Sequence, residues 1–465
     1  MAVWSEVEAS ILKKHSGRMD AEYFRPEILN AESMVTQFNY AKFGDLVVDG
    51  YRVVYENTKI LRPDKVTQED CRFLQAANIS QDGLTISIHD LGFVSKNDWE
   101  RYPKGRISMG EILIEVKGQA EKVTIIPKDY PKKILVSGSL FKATISKDIA
   151  SEYIFAFFNC YYGKLLRDRT KTNTLIGFVS KPELYKIPVP IPSEKNHELI
   201  TFDIKESIRL NNLSQSLYAQ AQQLLEQELG IDKLEFEKPM GYETSFSEVM
   251  ENNRADADYY QVKFQTIEKH LSSIPVKKLI SIAQFSKGIE VGSSAYTDEG
   301  KLFIRVSNVK ERGIETGASD KYISNQLFAS LKQYQPKKNE LLLTKDGTPG
   351  TCYVVDEPID GIISGGIVKI NLIDKNNVLP EYLALVINSQ ICKMQIERDC
   401  SGALIVHWKP GDIAKLKVPV LKYTVMKRLS DLVIQSKQAK QESYQLLEKA
   451  KARVEQLIEQ AAEES

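Results

Sequence analysis

The stretch that decides the fold reads IPVPIPSEKNHELITFDIKESIRLNNLSQSLYAQAQQLLEQELG and occupies residues 187–230. Proline fixes its own φ angle and pushes the preceding residue out of the helical region, so the opening predicts an extended segment. Ser193 is a candidate N-cap, and Gly230 is suited to a left-handed C-terminal cap. The stretch therefore predicts a helix within 194–230 of roughly 35 residues, which is about 52 Å long at about 1.5 Å per residue.

A second long helix is predicted at the end of the sequence, over about 424–463, after a shorter proline signal at Pro419. Both helices are far longer than the globular mean of about 12 residues, so each needs a partner. We interpret them as an antiparallel coiled coil that separates two globular lobes; the alternative is that each helix packs on its own lobe. The predicted apolar stripes are Leu210, Leu213, Leu217 and Leu224 around the polar Gln220 in the first helix, and Leu447, Ala450, Val454, Leu457 and Ala461 in the second.

Composition sets wide bounds on the class of protein. A length of 465 residues favours two or three domains, and 42% hydrophobic with 27% charged residues is typical of a soluble globular chain. Basic and acidic residues balance at 62 each, so any nucleic-acid surface must be local. Five cysteines without a CxxC pair favour reduced thiols over disulfides or zinc. With no apolar run long enough to span a membrane, the chain is predicted to be cytoplasmic, with no membrane partner.

An internal repeat of roughly 230 residues covers nearly the whole sequence. RMDAEYF from Arg18 is matched by RADADYY from Arg254, and GEILIEVKG, ending at Gly118, is matched by NELLLTKDG, ending at Gly347. This tandem duplication predicts an α/β (α+β) fold with two repeated lobes, each followed by a long helix. Three further pairs match in the same order: FLQAANISQDGLTI (73–86) with FIRVSNVKERGIET (303–316), VSGSL (136–140) with ISGGI (363–367), and EYIFAFFNCYYGK (152–164) with EYLALVINSQICK (381–393).

The repeat divides the sequence into five segments. They are a first lobe over 1–193, a first long helix over 194–230, a linker over 231–253, a second lobe over 254–422 and a second long helix over 423–465. The linker holds Pro239 and Gly241 and has no clear hydrophobic period. Within the lobes, strands are predicted over 112–116 and 123–126, and over 341–344 and 352–355, each pair joined by a turn, with the KDGTPG turn the longer. Single helices are predicted over 152–166 and 381–396.

The ordered set of motifs, occurring twice, resembles the specificity subunit of type I restriction-modification enzymes. Each lobe opens with R-x-D-A-[ED]-Y-[FY], contains a GEILI-like strand ending in Gly, and leads through a proline turn into a long helix. The resemblance spans essentially the whole chain. It implies two target recognition domains, each reading one half of a split sequence in double-stranded DNA. It also implies that the long helices space these domains and dock methyltransferase (modification) subunits.

No catalytic motif accompanies this resemblance. The sequence lacks GxxxxGK[ST], HExxH, a DPPY-like tetrapeptide and a GxGxxG after a strand. Asp256 and Asp258, matched by Asp20 and Glu22, indicate a structural helix or turn start rather than a nuclease pair. The resemblance therefore implies a non-enzymatic chain without a cofactor of its own, with S-adenosylmethionine, ATP and Mg on modification and restriction/translocase subunits. The alternatives are a recognition subunit of another modification or phage-defence system, and a two-lobed scaffold that binds proteins or glycans.

Candidate DNA contacts combine cations for phosphates with amide or hydroxyl groups for base edges. For each cation the alternative is a solvated face. For Asn78 and Asn308 the favoured interpretation is capping of local backbone, and for Trp408 it is a packed aromatic. In the first lobe the candidates are Arg52, Lys117, Gln119, Lys164, Arg167, Arg169, Lys171, Thr172 and Asn173. In the second lobe they are Lys345, Asp346, Thr348, Arg398, Ser401, His407 and Lys409.

Overall fold

The chain folds into two compact units, which are described one at a time. Unit 1 comprises Met1–Asn212 with Ala439–Ser465, and unit 2 comprises Leu213–Gln438. Each of the two long helices therefore contributes a segment to both units. The structure is a computed structural model that describes residues 6–14, 18–52, 58–127, 130–131, 133–172, 177–237, 239, 241–317, 319–374, 377–400 and 406–463.

Unit 1 is a mixed helix and sheet structure. Among its described residues, one sheet has the strand order β2-β8-β5-β6, a second has the order β4-β3-β7, and β1 pairs with β9. The strands are β1 (Tyr40–Lys42), β2 (Val47–Arg52), β3 (Cys71–Leu74), β4 (Gly92–Val94), β5 (Ile112–Glu115), β6 (Val123–Ile125), β7 (Ile134–Val136), β8 (Leu140–Ile145) and β9 (Pro188–Pro190). The helices are α1 (Ala9–Lys14), α2 (Pro26–Gln37), α3 (Phe43–Leu46), α4 (Lys96–Arg101), α5 (Ser151–Asn159), α6 (Tyr161–Arg169), α7 (Lys181–Tyr185) and the first part of α8 (Glu194–Leu229).

Unit 2 repeats this plan. In the part of it that the structure describes, the sheets run β11-β20-β17-β18 and β12-β16-β13-β19, with the smaller pairs β10-β21 and β14-β15. The helices are α9 (Phe246–Asn252), α10 (Val262–Leu271), α11 (Asn325–Ser330), α12 (Pro380–Asn388), α13 (Gln390–Asp399), α14 (Pro410–Lys415) and the first part of α15 (Tyr423–Glu463). The strands are β10 (Val276–Lys278), β11 (Ala283–Lys287), β12 (Tyr296–Thr297), β13 (Lys301–Ile304), β14 (Val309–Lys310), β15 (Gly313–Ile314), β16 (Tyr322–Ile323), β17 (Leu341–Thr344), β18 (Cys352–Val354), β19 (Gly361–Ile363), β20 (Ile367–Leu372) and β21 (Lys417–Pro419).

Equivalent strands pair in equivalent ways in the two units. The parallel pair β3 and β7 corresponds to the parallel pair β13 and β19. The proline-containing strand β9 pairs antiparallel with β1, as β21 does with β10. A buried tyrosine hydroxyl supports each of these strands: Tyr153 donates to the Pro190 carbonyl at 2.7 Å, and Tyr382 donates to the Pro419 carbonyl at 3.0 Å. The predicted fold class, a duplicated mixed α/β chain with two long antiparallel helices, is confirmed.

Two helix predictions need correction, because each predicted single helix is broken in two. α5 and α6 are separated at Cys160, and α12 and α13 are separated at Ser389, where ψ is 170° and 162°. At the first break the chain is also too crowded for a side chain on Gly163, since a Cβ there would lie 1.9 Å from the Phe157 carbonyl oxygen. The apolar pattern continues across both breaks, which is why periodicity alone joined them.

The predicted long helices are α8 and α15, and their ends agree with the prediction within a residue or two. In unit 1 the Ser207 hydroxyl donates to the Ser443 carbonyl at 2.8 Å. In unit 2 the Ser436 hydroxyl donates to the Ser214 carbonyl at 2.7 Å. Ser214 lies seven residues after Ser207 in α8, whereas Ser436 lies seven residues before Ser443 in α15. The helices therefore run antiparallel, and the serine contact recurs after seven residues. That is the spacing of a coiled coil.

The buried face of α8 differs from the predicted leucine stripe. Leu213 is 40% exposed, while Leu217 and Leu224 are half-buried. Serine hydroxyls form hydrogen bonds between the two helices, and their small side chains let the helix backbones lie close together. Polar residues therefore occupy buried positions at which a hydropathy pattern would place leucine. On α15, Leu447, Ala450 and Val454 are buried as predicted, but the face continues to Ile458 rather than Leu457. The buried heptad positions of α8 are Ile200, Ile204, Ser207, Asn211, Ser214, Tyr218, Ala221 and Leu225.

The segment predicted as a linker contains a short helix. α9 lies within 231–253 and begins with a capping box, in which Ser245 accepts from the Glu248 N–H and Glu248 accepts from the Ser245 N–H. Ser and Glu at this spacing are the sequence signature of such a box. The SFSE tetrapeptide could therefore have indicated this helix start despite the lack of a hydrophobic period.

Candidate nucleic-acid interface

The turn between β5 and β6 is held against the segment that leads into α7. We call residues 116–119 with 177–179 frame 1. Lys117 lies opposite Phe178 in an antiparallel bridge, and the side chains of Lys117 and Gln119 are exposed. The backbone hydrogen bonds of frame 1 are Gly118 N–H to Gly177 O at 3.0 Å and Val179 N–H to Val116 O at 2.9 Å.

The same arrangement recurs in unit 2 between the β17–β18 turn and the segment that leads into α14. We call residues 345–348 with 406–408 frame 2. Asp346 lies opposite His407 in an antiparallel bridge, and Thr348 is exposed. The backbone hydrogen bonds of frame 2 are Gly347 N–H to Val406 O at 2.8 Å and Trp408 N–H to Lys345 O at 2.8 Å. The duplication therefore preserves the backbone of this site in both units.

The two turns are also equal in length. Both connections, 116–122 and 345–351, contain seven residues, so the prediction that the second is the longer is wrong. A buried side chain closes each turn: Glu115 accepts from two turn N–H groups, and the Thr344 hydroxyl donates to the Thr348 carbonyl. Gly118 and Gly347, at matching positions, have φ of 100° and 69°. This left-handed region favours glycine, which explains the shared Gly that ends both strand motifs.

Side chains gather around Phe178 in frame 1. The Arg52 guanidinium stacks on the Phe178 ring at 4.2 Å and donates to the Gly138 carbonyl at 3.0 Å. Thr172 pairs with Phe178 through its backbone, and Lys171 forms an ion pair with Asp168 at 2.6 Å. Of the candidate contacts in the first lobe, Arg52, Lys117, Gln119, Lys171 and Thr172 thus lie in or beside frame 1. Phe178 itself was missed, because an isolated aromatic carries no sequence signal that distinguishes a site from a core.

Frame 2 carries a chain of charged groups. The Lys345 ammonium lies 2.5 Å from one Asp346 oxygen, and His407 Nδ1 lies 2.8 Å from the other. Burial alone would raise the pKa of Asp346, but the hydrogen bonds from Lys345 and His407 outweigh it and lower the pKa below the ordinary value. Lys409 is exposed two residues beyond His407. Asp346, Thr348, His407 and Lys409 therefore lie on one surface, whereas Lys345 is buried and its ammonium is taken up by Asp346.

Three arginines of the predicted set point into the units instead. Arg167 is 3% exposed and donates to the carbonyls of Phe158, Ala120 and Glu121, and burial lowers its pKa to about 10. We therefore remove Arg167 from the contact set, because its donors are used inside the fold. Arg169 is 5% exposed and paired with Glu32 at 2.6 Å, so it is removed for the same reason.

Arg398 is the counterpart of Arg169 in unit 2. Arg18 and Arg169 stack on Tyr23, each at 4.2 Å, while Arg254 and Arg398 stack on Tyr259 at 4.8 and 5.3 Å. Burial would lower the pKa of Arg398, but Asp399 and Glu268 hold the pKa above its ordinary value. The repeated opening motif thus builds an arginine–tyrosine stack in each unit, and we remove Arg398 from the contact set.

The remaining candidate DNA contacts do not lie in either frame. Lys164 is exposed on α6, and no contact in the described part of the chain connects it with frame 1. Asn173 and Ser401 lie outside the described residues. The structural interpretations of three residues are confirmed: Asn78 and Asn308 cap local backbone through the N–H groups of Gln75 and Arg305, and Trp408 is 1% exposed. Asp20 and Asp256 precede short 3₁₀ helices and pair with Arg18 and Arg254.

The described residues contain neither a metal-binding cluster nor a membrane-spanning helix. No group of three or more His, Cys, Asp or Glu side chains is placed to hold a metal ion there. No helix in the described ranges is long and apolar enough to cross a membrane. The cysteines Cys71, Cys160, Cys352, Cys392 and Cys400 are free thiols.

Comparisons with known proteins gave structural matches. No protein-family model matches the chain, and no curated protein matches it either. The Type-I restriction-modification system S subunit from M. genitalium is similar at 12% identity over 91% of this chain and 96% of that chain, with a TM-score of 0.39. The HsdS subunit from Thermoanaerobacter tengcongensis is similar at 12% identity over 90% and 96%, with a TM-score of 0.28. A structure on complex assembly and conformational transition of the type I R-M system is similar at 12% identity over 90% and 97%, with a TM-score of 0.30.

Proposed function

We propose that this chain is the sequence-specific DNA-recognition subunit of a type I restriction-modification complex. The observation that carries the proposal is the pair of frames, which share their backbone hydrogen bonds and differ in their exposed side chains. A duplicated reader with diverged side chains is suited to a bipartite, asymmetric site. In this proposal 1–193 and 254–422 are the two target recognition domains, 231–253 links the halves, and 194–230 and 423–465 are the spacer helices.

The chemistry of each frame suits DNA. Lys117 in frame 1, Lys171 beside it and Lys409 beside frame 2 are cations that can neutralise phosphates. Gln119, Thr348 and His407 offer amide, hydroxyl and imidazole groups, which can hydrogen-bond to base edges in the major groove. A two-stranded turn is narrow enough to enter that groove. Because the chain has no net charge, its affinity for DNA must come from such local groups.

The long helices supply a fixed length. α8 contains 36 residues. At about 1.5 Å per residue it extends about 54 Å. This corresponds to about 16 base steps at about 3.4 Å each. We propose that the paired helices set the spacer between the two half-sites, which is shorter than this by the length of DNA that each domain covers.

The chain is proposed to act without chemistry of its own. Methyltransferase subunits that dock on the helices would supply adenine methylation from S-adenosylmethionine, and restriction/translocase subunits would supply ATP- and Mg-dependent cleavage. The proposed location is the cytoplasm, where free thiols persist.

Genome-wide mapping of methylated adenines, with and without the gene, tests this proposal. We expect one split motif to lose its methylation when the gene is removed. With the purified complex, duplex affinity should fall steeply as salt rises, and Lys117→Ala should reduce the salt slope by about one. Lys96→Ala is the matched control, since Lys96 is exposed in the same unit but pairs with Glu69 away from frame 1. Unchanged methylation without the gene would contradict the proposal.

A further inference from the structure

The two frames carry different rings at one matched position. Frame 1 has Phe178 there, covered by Arg52, and frame 2 has His407, oriented by Asp346. The backbone around both residues is held by equivalent hydrogen bonds, so the difference lies in the side chains alone. The duplication has thus left an aromatic ring in frame 1 and a ring with a directed polar atom in frame 2.

Asp346 fixes the hydrogen-bonding character of His407. The Asp346 carboxylate can only accept, so Nδ1 of His407, 2.8 Å away, carries the shared proton. The second Asp346 oxygen is held by Lys345, so the carboxylate cannot turn away without breaking that ion pair. In the neutral ring Nε2 is then an acceptor. His407 is 55% exposed, which leaves this atom available to a ligand.

Resting on the proposed function, we propose that His407 is a specificity-determining residue of the second half-site, and that Asp346 is its positioning residue. Neutral His407 presents one acceptor, Nε2, and the donors available in the major groove are the N6 amino group of adenine and the N4 amino group of cytosine. His407 therefore recognises an exocyclic amino group at one base pair and fixes which strand carries it.

Removal of single functional groups from the DNA and the protein tests this assignment. The probes are duplexes carrying the mapped site, in which purine replaces each adenine or 2-pyrimidinone replaces each cytosine, so that one amino group is absent at a time. With the wild-type complex, one such duplex in the second half-site should lose affinity about tenfold. His407→Phe installs the residue that frame 1 uses and should make the complex indifferent to that substitution.

Two further variants separate positioning from stability. In Asp346→Asn the new amide can either accept a hydrogen bond from Nδ1 of His407 or donate one to it. Both tautomers of the ring then become available, so the preference for an amino group at the same base pair should relax. Lys409→Ala is the matched control for a phosphate contact, and it should weaken binding to all of the duplexes equally. The preference for particular bases in the first half-site should be the same in all of these variants.

The outcomes are distinguishable. If the wild-type complex selects no bipartite site, the proposed function fails and this assignment fails with it. If the complex binds its site and His407→Phe leaves the response to every amino deletion unchanged, only the assignment is overturned. Equal loss of affinity for all duplexes in Asp346→Asn would likewise overturn the positioning role.

Discussion

Ser207 and Ser443 exchange hydrogen bonds, each hydroxyl donating to the main-chain carbonyl of the other residue, at 2.8 and 2.7 Å. Both side chains are buried, and Ser214 and Ser436 make a related contact seven residues further along each helix. A larger side chain at any of these positions would not fit between the backbones of α8 and α15 at this distance. The serines therefore specify the register in which α8 and α15 pack.

Ser443→Leu should destabilise unit 1. It removes a buried hydrogen bond, worth about 1 kcal/mol, and overpacks the helix contact at a cost of about 1–3 kcal/mol. Urea unfolding followed by circular dichroism would measure the difference. Ser216→Leu is the control, because Ser216 is exposed on α8 and should tolerate the change. Equal stability of the two variants would contradict a register role for Ser443.

Arg169→Ala should destabilise unit 1 more than Lys171→Ala does. Arg169 is buried and its partner Glu32 is half-buried, so breaking this pair should cost more than the about 1 kcal/mol of an exposed pair. Lys171 pairs with a carboxylate that is 40% exposed, so its loss should cost less than about 1 kcal/mol. Equilibrium unfolding in urea checks both values. A larger loss of unfolding free energy in Lys171→Ala than in Arg169→Ala would contradict this comparison of the two ion pairs.

The contribution of Asp346 to stability should depend on pH. Its pKa is lower in the folded chain than in the unfolded chain, where a carboxyl of this type titrates near about 3.9. The stabilisation is therefore present above about pH 4 and is lost as the pH falls through the lowered folded-state pKa. Unfolding free energies of wild type and Asp346→Asn should differ at pH 7 and converge in acid. A difference that grows towards low pH would contradict the assigned ion pairs.

A matched shortening of the helices should alter the spacer of the recognised site. Deleting 208–214 from α8 together with 436–442 from α15 removes seven residues from each and retains the Ser207–Ser443 contact. The loss is about 10 Å of helix, or about three base steps. Methylome mapping should return the same half-sites with a shorter spacer. Deletion from one helix alone is the control and should abolish recognition, because the register is lost. An unchanged spacer in the matched variant would contradict the proposal that helix length sets the spacer.

Much of the local structure could be predicted from the sequence because its causes are local. Proline and Gly230 placed the ends of α8, and short apolar runs placed β5, β6, β17 and β18. The breaks at Cys160 and Ser389 were missed because the helical spacing of apolar residues continues on both sides of each break, where the chain turns for reasons of packing.

The sequence by itself determined the duplication, the fold class and the two long helices, since repeated motifs and helix signals act over short distances. Only the tertiary structure decided which side chains are exposed. Arg167 and Arg169 lie in a basic stretch that predicts a surface, yet both side chains are buried, where backbone carbonyls and Glu32 take up their donors. The meeting of Asp346 with His407, 61 residues apart, likewise depends on the pairing of two distant segments. Burial and long-range pairing depend on the whole fold, and no local pattern encodes them.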